Sequence, residues 1–233
     1  MTTISANLQA NLAAVQRRLA AACAAAGRDA GEVALLAVAK TWPAEAVAAV
    51  AACGQRRFGE SYVQEAVAKI EALGALDLEW HFIGPLQSNK TRPVAENFAW
   101  VHSVDRLKIA QRLADQRPAQ LPPLNVCVEV NVSGEASKSG CPPEEAAALC
   151  RAVAALPRLR LRGLMAIPEP TATAALQRRR FAELRALRDA LAAQGLALDT
   201  LSMGMSQDLE AAIMEGATIV RVGTAIFGER EKA

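Results

Sequence analysis

A chain of 233 residues that is 52% hydrophobic but only 4% aromatic can bury one large core made mostly of aliphatic and alanine side chains. Its formal net charge of +2, with arginines in short clusters such as Arg56 and Arg57, offers neither the sustained basic face nor the interleaved aromatics of a nucleic-acid binder. No segment approaches the roughly 18 uncharged apolar residues of a membrane span, and five cysteines without CxxC or Cys/His spacing read as buried hydrophobes of a reducing, cytoplasmic compartment.

At the N-terminus, Asn7, Gln9, Asn11 and Gln16 interrupt the apolar residues, so a secretory leader is not expected. Ile4, Leu8, Leu12, Val15 and Leu19 instead recur at helical spacing and predict an amphipathic helix from Ile4 to Ala26, stopped at Gly27. After it, short apolar runs alternate with helix-period stretches. The runs 33–40 (VALLAVAK), 56–58 (RRF), 79–83 (EWHFI) and 99–103 (AWVHS) read as the first four strands. The runs 124–131 (LNVCVEVN), 161–167 (LRGLMAI), 198–203 (LDTLSM) and 218–222 (TIVRV) read as four more, with seven helices between the eight.

Strict alternation of this kind implies right-handed βαβ units around a parallel sheet covered by helices, which is why the strands are almost continuously apolar. Eight units predict an α/β protein with a single (β/α)8 TIM barrel over residues 1–233, preceded by an extra helix. An open dinucleotide-binding sheet is disfavoured because no GxGxxG follows the first strand. The Pro-rich spots at 117–123 and 167–170 fall between elements and read as loops, so no linker divides the chain.

Chemistry in such a barrel gathers where strands end. Lys40 ends the first strand, and an amine that is partly desolvated there loses its proton more readily and becomes a nucleophile towards aldehydes. It is a candidate Schiff-base former with a carbonyl substrate or with pyridoxal phosphate; the bland reading is a lysine reaching water. Barrels also commonly hold a phosphate between the loops after the seventh and eighth strands. Here those loops read SMGMSQDLEAA and RVGTAIFGER. Gly204 permits close backbone approach, Ser206 is a candidate N-cap for the helix that follows, and Gly223 with Thr224 offers two amides and a hydroxyl. Asp208 and Glu210 would repel a phosphate and are expected to point away from it. His81 on the third strand and Met203 at the end of the seventh complete the candidates for cofactor contact. An amine opposite a phosphate cradle matches an aldehyde that carries a phosphate.

The segments AVAKTWP, FGESYVQE, WHFIGPLQSNK, NVSGEASKSG, RGLMAIP, LSMGMSQDLEAAI and VRVGTAIFGER resemble, in order and spacing, the motifs of the YggS/PROSC family of pyridoxal-phosphate-binding proteins, the pyridoxal phosphate homeostasis proteins. The resemblance runs from about residue 33 to residue 230. It implies a barrel similar to the N-terminal domain of bacterial alanine racemase, with pyridoxal 5'-phosphate bound as a Schiff base on Lys40. By the same resemblance Ser206, Gly223 and Thr224 would hold the phosphate and Arg221 would face the pyridine nitrogen. Trp42 stands where the family more often has Lys before Pro43, and Ser61 where it usually has Asn; the Ser61 departure bears on one polar contact near the cofactor and not on the Schiff base.

Arg221 can only donate, so the ring nitrogen it faces stays unprotonated and the cofactor is a poorer electron sink. The racemases that the barrel resembles take a second proton donor, a tyrosine, from a following β-domain. This sequence ends nine residues after Thr224, and its single tyrosine, Tyr62, reads as packing. The expectation is therefore a carrier that takes part in intracellular pyridoxal phosphate homeostasis, with apo-enzymes as possible recipients and a monomeric state. A slow amino-acid racemase and a cofactor-free lysine enzyme of aldolase type are the alternatives. His81 and His102 lack a carboxylate at metal-ligand spacing, and Lys138 reads equally as a second phosphate or amine site and as a solvated loop lysine.

Overall fold

The computed structural model describes residues 3–135 and 138–229. Eight strands, β1 (Ala34–Val38), β2 (Arg57–Glu60), β3 (Glu79–Phe82), β4 (Trp100–Val104), β5 (Leu124–Glu129), β6 (Leu159–Met165), β7 (Thr200–Ser202) and β8 (Ile219–Val222), close into a barrel in sequence order. Every pairing is parallel, and β1 closes on β8 in the register Leu36 to Arg221 and Ala37 to Val222.

Seven helices connect the strands as the alternation predicts: α2 (Ala44–Ala52), α3 (Val63–Ala72), α4 (Thr91–Asn97), α5 (Leu107–Gln116), α6 (Pro143–Ala154), α7 (Ala174–Ala193) and α8 (Leu209–Met214). The extra helix α1 (Thr3–Ala25) packs against α2, α8 and the short α9 (Thr224–Phe227), so it covers the seam where the barrel closes. Its Arg18 holds Glu210 of α8 in a two-pronged ion pair of 2.5 and 2.8 Å. No described helix is long and apolar enough to cross a membrane.

Side chains alternate between two apolar layers because successive strand residues face opposite sides. The larger layer, between strands and helices, takes Ala37, Phe58, Phe82, Val101, Val126, Leu164, Leu201 and Val220. A small inner cluster of Leu36, Trp100, Cys127, Met165 and Ile219 plugs the lumen, with the Arg162 guanidinium 4.7 Å above the Trp100 ring. Polar side chains share the barrel interior: His81, His102, Ser202, Glu129 and Arg221 are all buried on the strands. Apolar and hydrogen-bonding side chains thus share the lumen, with His81 beside Trp100 and Met165 level with Glu129 and Ser202.

Candidate cofactor site at the barrel mouth

Lys40 stands two residues past β1, half-buried, on the side of the strand that Leu36 turns into the lumen. Thr41 follows with a φ of +70°, in the left-handed region that a β-branched residue seldom adopts. Both neighbours of Lys40 are tied down. The Thr41 N–H donates to Glu65 Oε1 at 2.5 Å, and Lys69 Nζ donates to the Ala39 carbonyl at 2.8 Å. Lys69 also reaches Glu60 Oε1 at 2.7 Å and Glu65 Oε1 at 2.5 Å, and it is itself only 6% exposed. Burial pushes the Glu60 carboxyl up to about 7 against the pull of Lys69, and Glu60 Oε2 has no hydrogen-bond partner among the described residues.

The loops after β7 and β8 meet beside Lys40. Gly204 has a φ of +89°, and a Cβ there would lie 2.4 Å from the Ala212 methyl, so only glycine lets this turn fold onto α8. Its carbonyl accepts from the Arg221 N–H at 2.9 Å, which ties one loop to the other strand. A Cβ on Gly223 would stand 3.2 Å from the Val38 carbonyl, so the β8 loop passes close to the strand that carries Lys40. Ser206 does not cap α8 as its sequence position suggests. Asp208 occupies that cap, with its Oδ1 accepting from the Met205 N–H at 2.6 Å, while Ser206 Oγ lies 3.5 Å from the Ala225 N–H in the first turn of α9. The chain turns back towards the barrel before α8 starts, which carries the serine across to the neighbouring loop. Thr224 is exposed at the rim, and Glu210 is drawn away by Arg18, as the repulsion argument requires.

Beneath the mouth lies Arg221, 3% exposed, with Nη1 donating to Ser202 Oγ at 2.7 Å and Nη2 to the Ala166 carbonyl at 2.9 Å. Both acceptors are neutral, and among the described residues no carboxylate forms an ion pair with it. Burial lowers its pKa to about 10, which leaves it charged at neutral pH. Glu129 on β5 is 5% exposed, and burial, reinforced by Asp105, pushes its carboxyl up to about 7 although Arg221 pulls the other way.

The remaining candidates lie elsewhere. The Met203 side chain is fully buried in the layer between strands and helices, so it supports the loop from behind. The His81 ring lies stacked on Trp100 at 5.4 Å, at the level of the apolar plug, and contacts His102 and Glu79. Ser61 is half-buried, and its backbone packs where a Cβ on Gly84 would sit. Tyr62 is 52% exposed. The Lys138 N–H donates to the Glu135 carbonyl in the loop after β5. Ser202, Glu129 and the Lys69 brace are functional neighbours that the strand-end inspection passes over. A glutamate inside the apolar run NVCVEV is a readable signal for Glu129, whereas Glu65 and Lys69 at i, i+4 look like an ordinary surface pair.

An eight-stranded barrel with a braced lysine and a glycine-lined loop pair at one mouth defines a class of small-ligand barrels, whose members differ in what that mouth holds. The family described as "Alanine racemase, N-terminal domain" matches residues 6–231. The pyridoxal phosphate homeostasis protein of Pseudomonas aeruginosa is 66% identical over 221 residues, covering 95% of each chain. That of Escherichia coli K12 is 56% identical over 229 residues, covering 95% of this chain and 96% of the other. This chain belongs to the alanine racemase N-terminal domain family and, within it, to the pyridoxal phosphate homeostasis proteins. The structure of PipY from Synechococcus elongatus PCC7942 with PLP bound matches with a TM-score of 0.83 and 37% identity, over 95% of this chain and 100% of that one. Alanine racemase of Corynebacterium glutamicum shares the fold alone, with a TM-score of 0.73 and 17% identity over 97% of this chain and 61% of that one.

Replacing Lys69 with methionine leaves Glu60 buried without its cation and frees the Ala39 carbonyl. The expected cost is about 3 to 5 kcal/mol in urea unfolding, and a loss under about 1 kcal/mol would show that the brace carries little. Glu129 supplies a pH dependence. Its folded value is raised above the ordinary 4.5 to about 7, so the stability it adds is complete below about 4.5 and is lost as pH rises through 7. Glu129→Gln is therefore expected to gain on the wild type by a growing margin, on the order of 2 kcal/mol, between about pH 5 and 8. A margin that stays flat across that range refutes the buried acid.

Proposed function

We propose that the barrel mouth binds pyridoxal 5'-phosphate, with Lys40 holding its aldehyde carbon as a Schiff base, and that the protein serves intracellular homeostasis and supply of this cofactor. The observation that carries the reading is the buried Arg221, a cation whose hydrogen-bond acceptors among the described residues are neutral, beneath a lysine and a glycine-lined pair of loops. These residues fit the cofactor. Ser206, Gly223 and Thr224 bound the rim where a phosphate would sit, and Arg221 would donate to the pyridine nitrogen. When bound, the cofactor supplies an electrophilic aldehyde and an aromatic electron sink.

The chain's own residues favour holding over turnover. The guanidinium can donate but not accept, so it leaves the ring nitrogen unprotonated and weakens the sink. Tyr62, the single tyrosine, is exposed beyond β2 and is an N-cap residue without a side-chain cap bond. The relatives' name, pyridoxal phosphate homeostasis protein, supports the carrier role. Five free cysteines, four of them buried, support a reducing cytoplasm as its location. Apo-enzymes that use the cofactor would be the recipients, and a monomer is the working oligomeric state.

The visible spectrum of the protein loaded with pyridoxal phosphate, before and after borohydride, tests the linkage. A yellow wild type that bleaches irreversibly, with the reduced cofactor mapped to Lys40 and no band in Lys40→Ala, is the expected result. A wild type that stays colourless with added cofactor sinks the carrier reading and promotes a cofactor-free lysine enzyme. For the choice between carrier and racemase, solvent deuterium exchange at the α-carbon of alanine is expected to stay at the level of Lys40→Ala. Exchange that depends on Lys40 would make the protein a slow racemase.

A further inference from the structure

Arg221 is the upper end of a hydrogen-bonded chain that crosses the barrel interior. Ser202 Oγ lies 2.7 Å from Arg221 Nη1 and 2.7 Å from His102 Nδ1. His102 Nε2 lies 2.9 Å from His81 Nδ1, and His81 Nε2 lies 2.9 Å from Glu79 Oε1. The three middle members are sealed from solvent, with Ser202 and His102 at 0% and His81 at 1% exposure. Glu79, whose side chain is 41% exposed, also accepts from Arg57 Nε at 3.1 Å and lines a cavity of about 830 Å³ at the N-terminal end of the barrel, opposite Lys40.

The two ends dictate where every proton in this chain sits. A guanidinium only donates, so Ser202 Oγ must accept from Arg221; an ionised carboxylate only accepts, so His81 Nε2 must donate to Glu79. With neutral rings, His81 Nδ1 then accepts from the His102 Nε2–H, and His102 Nδ1 accepts from the Ser202 hydroxyl. The Ser202 hydroxyl and all four ring nitrogens then each have a matching partner, and the bonds run one way, from Arg221 to Glu79. Burial favours the neutral form of both imidazoles, most strongly for His102, which also faces His81 and Arg221. Glu79 is held ionised, first by its bond to His81 and then by Arg57.

We propose that Glu79, His81, His102 and Ser202 are positioning residues for Arg221, a one-way relay that lets the protonation state at the far end of the barrel set the guanidinium's orientation under the cofactor ring. The relay turns the Ser202 hydroxyl proton towards His102 and keeps its lone pair on Arg221. The guanidinium is thus pinned by Ser202 and Ala166 with its other N–H groups left for the mouth. This rests on the reading of Arg221 as the partner of the pyridine nitrogen.

The chain has only two histidines, so long-range ¹H–¹⁵N spectra of the cofactor-free protein at pH 7 report both rings without ambiguity of number. The expected result is two neutral rings, each with its proton on Nε2. A proton on His102 Nδ1, or a charged imidazole, overturns the relay. Glu79→Gln replaces an obligate acceptor by a group that also donates, so its rings are expected to show mixed tautomers. With pyridoxal phosphate added, its absorption band is expected to shift and its Kd to rise about fivefold, the effect of one hydrogen bond. Ser202→Ala, which removes the Arg221 acceptor, is expected to move the band in the same direction. Wild-type tautomers together with a wild-type band in Glu79→Gln overturn the proposal. A wild type that binds no cofactor defeats the reading of the site, whereas the tautomers in the cofactor-free protein still decide whether the relay exists.

Discussion

Closure of β1 against β8 is the constraint on which the site depends. The four-residue register from Ala34 to Ala37 brings β1 and β8 side by side, so the end of the strand that leads to Lys40 passes close to Gly223. A barrel that failed to close would separate Lys40 from the loops after β7 and β8 and expose the edges of both strands. The N-terminal helix reinforces this seam: it packs on α2, α8 and α9, and its Arg18 fastens α8 through Glu210. Lys40, Gly223 and the loop after β7 thus lie at the β1–β8 junction, which α1 covers.

Closure also creates the problem of a polar lumen. Removing a guanidinium from water is costly unless its donors are satisfied, and Arg221 is almost completely buried. Its neutral acceptors satisfy hydrogen bonding without cancelling charge, which keeps the mouth attractive to an anion. The same logic separates the two buried glutamates. Glu60 accepts from Lys69, which also holds the Ala39 carbonyl and so braces the strand of Lys40. Glu129 stands on β5 with its carboxyl raised by burial, so at neutral pH it opposes Arg221's charge only in part.

The backbone around Lys40 shows how precision is obtained at a strand end. Thr41 holds a conformation that costs roughly 1 to 3 kcal/mol, and Glu65 and Lys69 over-determine it by fixing the groups on either side of Lys40. A lysine side chain has many rotamers, and a rigid backbone at its root limits where its amine can reach.

Much of this molecule was legible in its amino-acid sequence. Short continuous apolar runs and period-3.6 patterns are local properties, so the eight strands, the seven connecting helices and the barrel followed from the chain, with element ends displaced by a few residues as in β2 and β6. Lys40, Gly204, Gly223 and Arg221 were readable as candidates because strand ends of a parallel barrel share one face. The particulars of the site were not legible. Whether Ser206 caps α8 or faces α9 depends on how a loop turns, and His81 and Met203 are placed by the side of the strand on which each lies. Sequence alone determined which residues could meet at the mouth, because alternation and strand order are written in local pattern. Only the tertiary structure decided which of them touch, since the relay from Arg221 to Glu79 joins residues from four strands, and hydrogen bonds between distant segments exist only once the barrel has closed.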